Sequence, residues 1–232
     1  MFELHLADGL TVQNTAVSSP VVIIGNSGQG KTVFLIQLAL ELIKQKQTGL
    51  LYDAFGDLAE DIKAKLVSPA ATQQVKFISQ EDFVKTKPKI DSFFIVTGKT
   101  INDGAIYTRG QAEQVTKLAQ QNLTSEHWLI IEQAYDFATP EIFTNYLSPA
   151  SPKTFLSGDS LINLSTAQRA ELFKTTKQLV VYKPRNLDGR LIEENYKTPT
   201  AKDIAAIQQY HFYWLDRGQA AYHRAIWPIK DI

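Results

Sequence analysis

The chain contains no cysteine. That excludes a disulfide framework and any zinc site built on thiolates. It also lacks a surplus of either charge: 24 Lys and Arg balance 24 Asp and Glu across 232 residues. Dedicated nucleic-acid binders often carry a basic excess, so any DNA contact here is expected from a local patch or an oligomer. No apolar run approaches the roughly 18–20 residues that cross a bilayer. The opening MFELHLADGL alternates and carries acids, unlike a secretory leader. The expectation is a cytoplasmic protein without direct membrane insertion, brought by a partner to any membrane it serves. His5, His127, His211 and His223 lack metal-ligand spacing, and no serine sits in a nucleophile elbow. No Arg-rich segment is visible for the lid of a small-molecule kinase. There is no internal repeat, low-complexity tract or long linker.

What is present is ordinary for a globular protein: 44% hydrophobic and 21% charged residues. A chain this long buries a core without staples. FELHLADGLTVQN holds two alternating runs around Asp8-Gly9, a hairpin signal. PVVIIG (20–25), GLLYDAF (49–55), VKFIS (75–79), SFFIVTG (92–98), HWLIIE (127–132), KTFLSG (153–158) and KQLVVYK (177–183) read as strands, several of them buried on both faces. Between them, residues 31–45, 57–66, 109–123, 139–147, 165–176 and 200–210 carry helical patterns. SQED (79–82) resembles a capping box opening a further short helix. HFYWLD and AAYHRAI flank Arg217-Gly218-Gln219 as a closing hairpin. Phe212, Tyr213, Trp214 and Tyr222 are read as its core filling rather than as a base-stacking platform. The alternation predicts an α/β fold, a mainly parallel β-sheet flanked by helices with short β-hairpins at both termini. We read one domain over 1–232: the hairpin at 1–17, a nucleotide-binding core at 18–185, and a terminal helix and hairpin at 186–232.

The strongest motif is GNSGQGKT, residues 25–32, a full match to G-x-x-x-x-G-K-[ST] between a buried strand and a helix. Gly25, Gly28 and Gly30 let the backbone curl so that several N–H groups converge on one anion. Asn26, Ser27 and Gln29 complete the loop, and the helix N-terminus adds its positive end. Lys31 can reach β- and γ-phosphates, and Thr32 can give its hydroxyl to Mg²⁺. The expected cofactors are ATP and Mg²⁺.

Such a site needs a strand ending in an acid beside the metal. Glu132 follows HWLII and Asp53 follows GLLY. Glu132 is the better metal-side candidate, since its strand is long and apolar. Asp53 is expected near the phosphates, helping to position the nucleophile or the metal. Gln133 stands where many such enzymes place a carboxylate that activates water. An amide cannot take that proton, and general-base catalysis contributes about 10²–10⁴-fold; a glutamine can still orient a water. Two readings stay open: a working ATPase, or a nucleotide-binding scaffold or regulator with weak or no hydrolysis.

Three segments, VVIIGNSGQGKTVFLIQLALELI, GLLYDAFGDLAEDI and LIIEQAYDFATPEIF, together resemble the FtsK/HerA superfamily of P-loop ATPases, nearest to HerA-like translocases and the coupling ATPases of conjugative type IV secretion. Asp53, Gly56 and Asp57 fit that pattern, as do Glu132, Ala134, Tyr135 and Phe137. Gln133 departs from a second acid. Asp159 in FLSGDSL departs from a polar sensor, commonly Gln. The resemblance spans residues 18–185 and implies a RecA-like core. It further implies an ATP-driven motor for DNA of conjugation or mobile elements, a homo-oligomer (typically a hexamer), and membrane or conjugation partner proteins. It also implies an arginine that reaches a neighbour's site, with Arg185 and Arg169 as candidates. Coupling proteins add an anchor and a helical domain, for which this chain has little room.

Overall fold

The computed structural model describes residues 1–17, 20–98, 109–137, 144–146, 152–216 and 218–232. Within them the expected hairpin forms from β1 (Glu3–Ala7) and β2 (Leu10–Gln13), a separate two-stranded sheet with Leu4 opposite Val12. Every other named strand joins one sheet: β3 (Val21–Ile24), β4 (Gly49–Asp53), β5 (Val75–Ser79), β6 (Phe93–Thr97), β7 (Trp128–Ile131), β8 (Lys153–Gly158), β9 (Gln178–Val181), β10 (His211–Asp216) and β11 (Gln219–Arg224). Their order is β11-β10-β9-β3-β8-β7-β4-β6-β5. The pairs from β9 through β5 are parallel, while β10 and β11 add antiparallel at one edge. The fold is thus an α/β sheet of the P-loop NTPase kind, and the closing hairpin extends that sheet instead of standing apart.

The helices are α1 (Lys31–Lys44), α2 (Asp57–Lys65), α3 (Pro69–Gln73), α4 (Gln80–Thr86), α5 (Arg109–Asn122), α6 (Ala134–Phe137), α7 (Thr166–Thr175), α8 (Asn186–Tyr196) and α9 (Ala201–Ala205). Strand side chains alternate between faces, so VVII feeds two cores at once. Val21 and Ile23 pack with Phe34, Leu38 and Leu42 of α1 and with Leu4 and Leu6 of the hairpin. Val22 and Ile24 pack with Val115 of α5, Leu172 of α7 and Ile192 of α8. Each such aliphatic side chain taken from water stabilises by about 1.5–3 kcal/mol, which is why these short strands hold against the entropy of ordering them.

Local signals set the helix starts. Ser79 accepts from the Asp82 N–H, as SQED led us to expect, and Ser165 and Thr200 form full capping boxes with Gln168 and Asp203. Two expectations need correction. The helix expected over 200–210 ends at Ala205, because the chain turns to bring Tyr210, at φ 62°, against the glycine-rich loop. Helix α8 was not foreseen; it carries Gly189 mid-helix, facing Ile204 of α9. Of the helix expected over 139–147, residues 144–146 are described and helical, and the remainder lies outside the described residues, as does Arg217.

Candidate functional site

The loop 25–30 leaves the C-terminal end of β3 and enters α1 through Gly30, which sits at φ 110° as the N-cap without any side-chain cap. The first N–H groups of α1 are therefore left for a ligand. A side chain at Gly30 would be strained by that φ and would press on the Tyr210 ring. The loop is also clasped from the C-terminal segment. The Tyr210 N–H donates to the Gln29 carbonyl at 2.9 Å, and Gln209 Nε2 donates to the Gly28 carbonyl at 2.9 Å. Tyr210 stacks on Trp227 at 5.9 Å between ring centroids.

Above the loop lies a cavity of ≈ 310 Å³. Ser27, Gly28, Gly30, Lys31, Thr32, Glu132 and Gln133 of the expected set line it, joined by Phe55, Asp57, Ser157, Asp159 and Tyr210. Gly25, Asn26, Gln29 and Asp53 of the expected set are not among the lining residues. β8 lies between β3 and β7 in the sheet, so the ends of three adjacent parallel strands deliver Lys31, Asp159 and the Glu132-Gln133 pair to one place. Ligands of open α/β sheets sit at this carboxyl edge.

Lys31 is buried, and its Nζ donates to the Gly25 carbonyl, to the Asn26 carbonyl at 3.0 Å and to Asp159 Oδ1 at 2.8 Å. Asp53 is fully buried and caps α2: Oδ1 accepts from the N–H groups of Phe55 at 3.3 Å and Gly56 at 2.7 Å, and Oδ2 from that of Ala59 at 2.8 Å. Its carboxyl group also lies near enough to Glu132 for the two acids to shift one another. The geometry thus gives Asp53 an indirect place, as the support of Glu132, and puts Asp57 of the same helix in the cavity wall.

Burial, then the Asp53 charge and its hydrogen bond, then Asp57, push the Glu132 carboxyl up to about 9, with Lys31 opposing. Burial also raises Asp53, but three backbone donors pull it back. Of the two, Glu132 is thus the acid that favours its protonated form near neutral pH. Glu132 Oε2 is buried with no donor in reach among the described residues; a proton or a cation is what can satisfy it. That fits Mg²⁺, which is typically held by one or two protein groups plus substrate phosphates and waters. Among the described residues, no cluster of three His, Cys, Asp or Glu side chains is placed to hold a metal ion.

Gln133 follows Glu132 at φ 52°, and its Nε2 makes a long contact of 3.4 Å with Asp159 Oδ1. The turn bearing Asp159 is pinned from below. Fully buried Asp188 of α8 accepts from Ser160 Oγ at 2.8 Å and the Leu161 N–H at 3.0 Å. Burial raises the Asp188 carboxyl, and these two donors oppose the rise. Gly158 lies flat against the Tyr135 ring, where an added Cβ would collide. Gly158→Ala is expected to separate the ends of β7 and β8 and to destabilise the protein by about 1–3 kcal/mol, read as a lower urea midpoint with unchanged slope.

Sequence reading missed Tyr210, Phe55 and Ser157; they come from other segments, and only the strand-end position of Ser157 was a signal. Arg169 is occupied, donating to the carbonyls of Leu161 at 3.4 Å and Leu164 at 3.0 Å and to Thr166 Oγ1 at 3.2 Å. Arg185 is exposed at the N-cap of α8. Phe212 and Trp214 are buried in the core, while Tyr222 is exposed and stacks on His211.

No protein-family model matches the sequence, and no curated protein sequence matches it. Solved structures do. The genome-packaging NTPase B204 of Sulfolobus turreted icosahedral virus 2, in complex with AMPPCP, superposes with a TM-score of 0.58 at 19% identity, over 90% of this chain and 98% of that one. VirB4 of Thermoanaerobacter pseudethanolicus gives 0.67 at 9% identity, over 89% of each chain. The bacterial conjugative coupling protein TrwB gives 0.69 at 10% identity, over 97% of this chain and 88% of that one. At these identities the likeness carries the fold, and it bears out the resemblance to FtsK/HerA-type P-loop ATPases at that level.

Proposed function

We propose that this protein binds ATP with Mg²⁺ at the loop 25–32 and hydrolyses it as a motor-type ATPase acting on DNA, in packaging or conjugative transfer. One observation carries the reading: a glycine-rich loop with an uncapped helix N-terminus and a buried lysine faces a buried acid across one cavity. The backbone N–H groups of the loop and α1 bind the phosphates, and Lys31 leaves Asp159 to meet them. Thr32 and Glu132 hold the metal, whose chemistry is to neutralise charge developing on the phosphates. Asp53 holds Glu132. The fold shared with packaging and conjugation ATPases supports the setting, and the same resemblance supports a ring of copies, six in the typical case. With zero net charge, the DNA contact is expected from a local patch or from the assembled ring.

Fluorescent-ATP binding with and without Mg²⁺, followed by single-turnover hydrolysis with and without double-stranded DNA, tests this. Expected are Mg²⁺-dependent binding and hydrolysis that DNA accelerates. A chain that binds no nucleotide at any Mg²⁺ concentration refutes the site.

A further inference from the structure

Three carboxyl groups line the cavity: Asp57, Glu132 and Asp159. They are not equivalent. Glu132 is engaged with Asp53, and Asp57 lies in the first turn of α2. Asp159 alone among the described residues bonds both the phosphate-loop lysine, at 2.8 Å, and the Gln133 amide, at 3.4 Å. Its side chain stays one-third exposed, at 33%, so water reaches it. The lysine that meets the terminal phosphate therefore already touches a carboxylate with access to solvent.

We propose that Asp159 is the general base of hydrolysis, supplying from the end of β8 the carboxylate that position 133 lacks. This rests on the ATPase reading above. In the step, the oxygen of a water forms a bond to the γ-phosphorus. The bond from that phosphorus to the β,γ-bridging oxygen breaks, and its electron pair leaves with ADP. The water proton passes to Asp159 and then to solvent. Gln133, donating through Nε2, orients the carboxylate or the water and takes no proton. The support beneath Asp159 suits this role: Asp188 fixes the turn through Ser160 and Leu161, and the flat contact of Gly158 with Tyr135 sets its distance from Gln133. Asp159 must also release Lys31 before the γ-phosphate can take that ammonium. A triphosphate therefore works against the Asp159 charge more than a diphosphate does.

The test compares wild type, Asp159→Asn and the exchange variant Gln133→Glu/Asp159→Asn. Each is read for fluorescent ATP and ADP affinity, thermal melting and single-turnover ATP hydrolysis. Asp159→Asn is expected to lose about 10²–10⁴-fold in hydrolysis. It should melt like wild type and bind ATP roughly tenfold more tightly, with a smaller gain for ADP, since one like charge has left the phosphates. The exchange variant should recover at least about tenfold of the lost rate. Hydrolysis by Asp159→Asn near the wild-type rate overturns the proposal. So does a rate loss accompanied by equal losses of ATP and ADP binding and of melting temperature, which marks a structural role. Wild type that binds ATP without turning it over overturns this step and leaves the binding site standing; wild type that binds no nucleotide overturns both.

Discussion

Lys31→Ala is expected to abolish ATP binding at micromolar concentrations and all measurable hydrolysis. Lys31 is the buried cation of the cavity, held by the Gly25 and Asn26 carbonyls and by Asp159. Facing phosphates, it would contribute charge-assisted hydrogen bonds worth about 1.5–3 kcal/mol each. Two such bonds correspond to an affinity loss on the order of 10²–10⁴-fold. The substitution also leaves the Asp159 carboxylate without its counter-ion, directly in the path of the incoming phosphates, which deepens the loss. Adding Asp159→Asn to Lys31→Ala should therefore recover part of the binding. Titration of a fluorescent ATP analogue reads both effects. Unchanged ATP affinity in Lys31→Ala would refute the placement of the site.

Glu132→Gln should move activity and stability in opposite directions. Hydrolysis is expected to fall by about 10²–10³-fold, the scale seen when a preorganised group facing transition-state charge is removed. Stability without nucleotide or metal should rise. The Glu132 carboxyl is raised from its ordinary 4.5 to about 9 by burial and by Asp53. Across that window the folded state binds more protons than the unfolded state, so wild-type stability falls as pH rises from about 4.5 to 9. Glutamine carries no proton to lose and removes that slope. At pH 8 in EDTA the variant should gain about 1–3 kcal/mol, at roughly 2–4 °C of melting temperature per kcal/mol for a chain of this size. Near pH 5 the two melting temperatures should converge. A wild-type melting temperature that stays flat across this range would show that Glu132 is not held protonated. If Glu132 serves a cation as proposed, that instability is the cost of the role, a trade of stability for function seen elsewhere.

Much of this architecture was legible residue by residue. Continuous apolar runs such as VVII and WLII favour burial on both faces, and the parallel sheet provides it. Ser79 announced its helix through SQED, because a cap needs only a side-chain oxygen three residues from an N–H. The loop at 25–32 was legible for the same reason: its chemistry is contained in eight consecutive residues. The shortened helix after Thr200 was not legible, since Tyr210 leaves helical geometry to bond a loop some 180 residues earlier in the chain.

The sequence by itself determined an α/β fold, a phosphate loop and an acid-ended strand, and it marked Gln133 and Asp159 as two unrelated departures. Only the tertiary structure joined them. Placing β8 between β3 and β7 brings Lys31 and Asp159 into contact across 128 residues of chain, while Asp53, at the end of β4, is buried capping α2 beside Glu132. The physical reason is range. Periodicity, caps and glycine turns act over a few residues and are written locally. Strand order is decided by how the whole chain buries its two apolar faces, and the pairing of charges at the strand ends follows from that order.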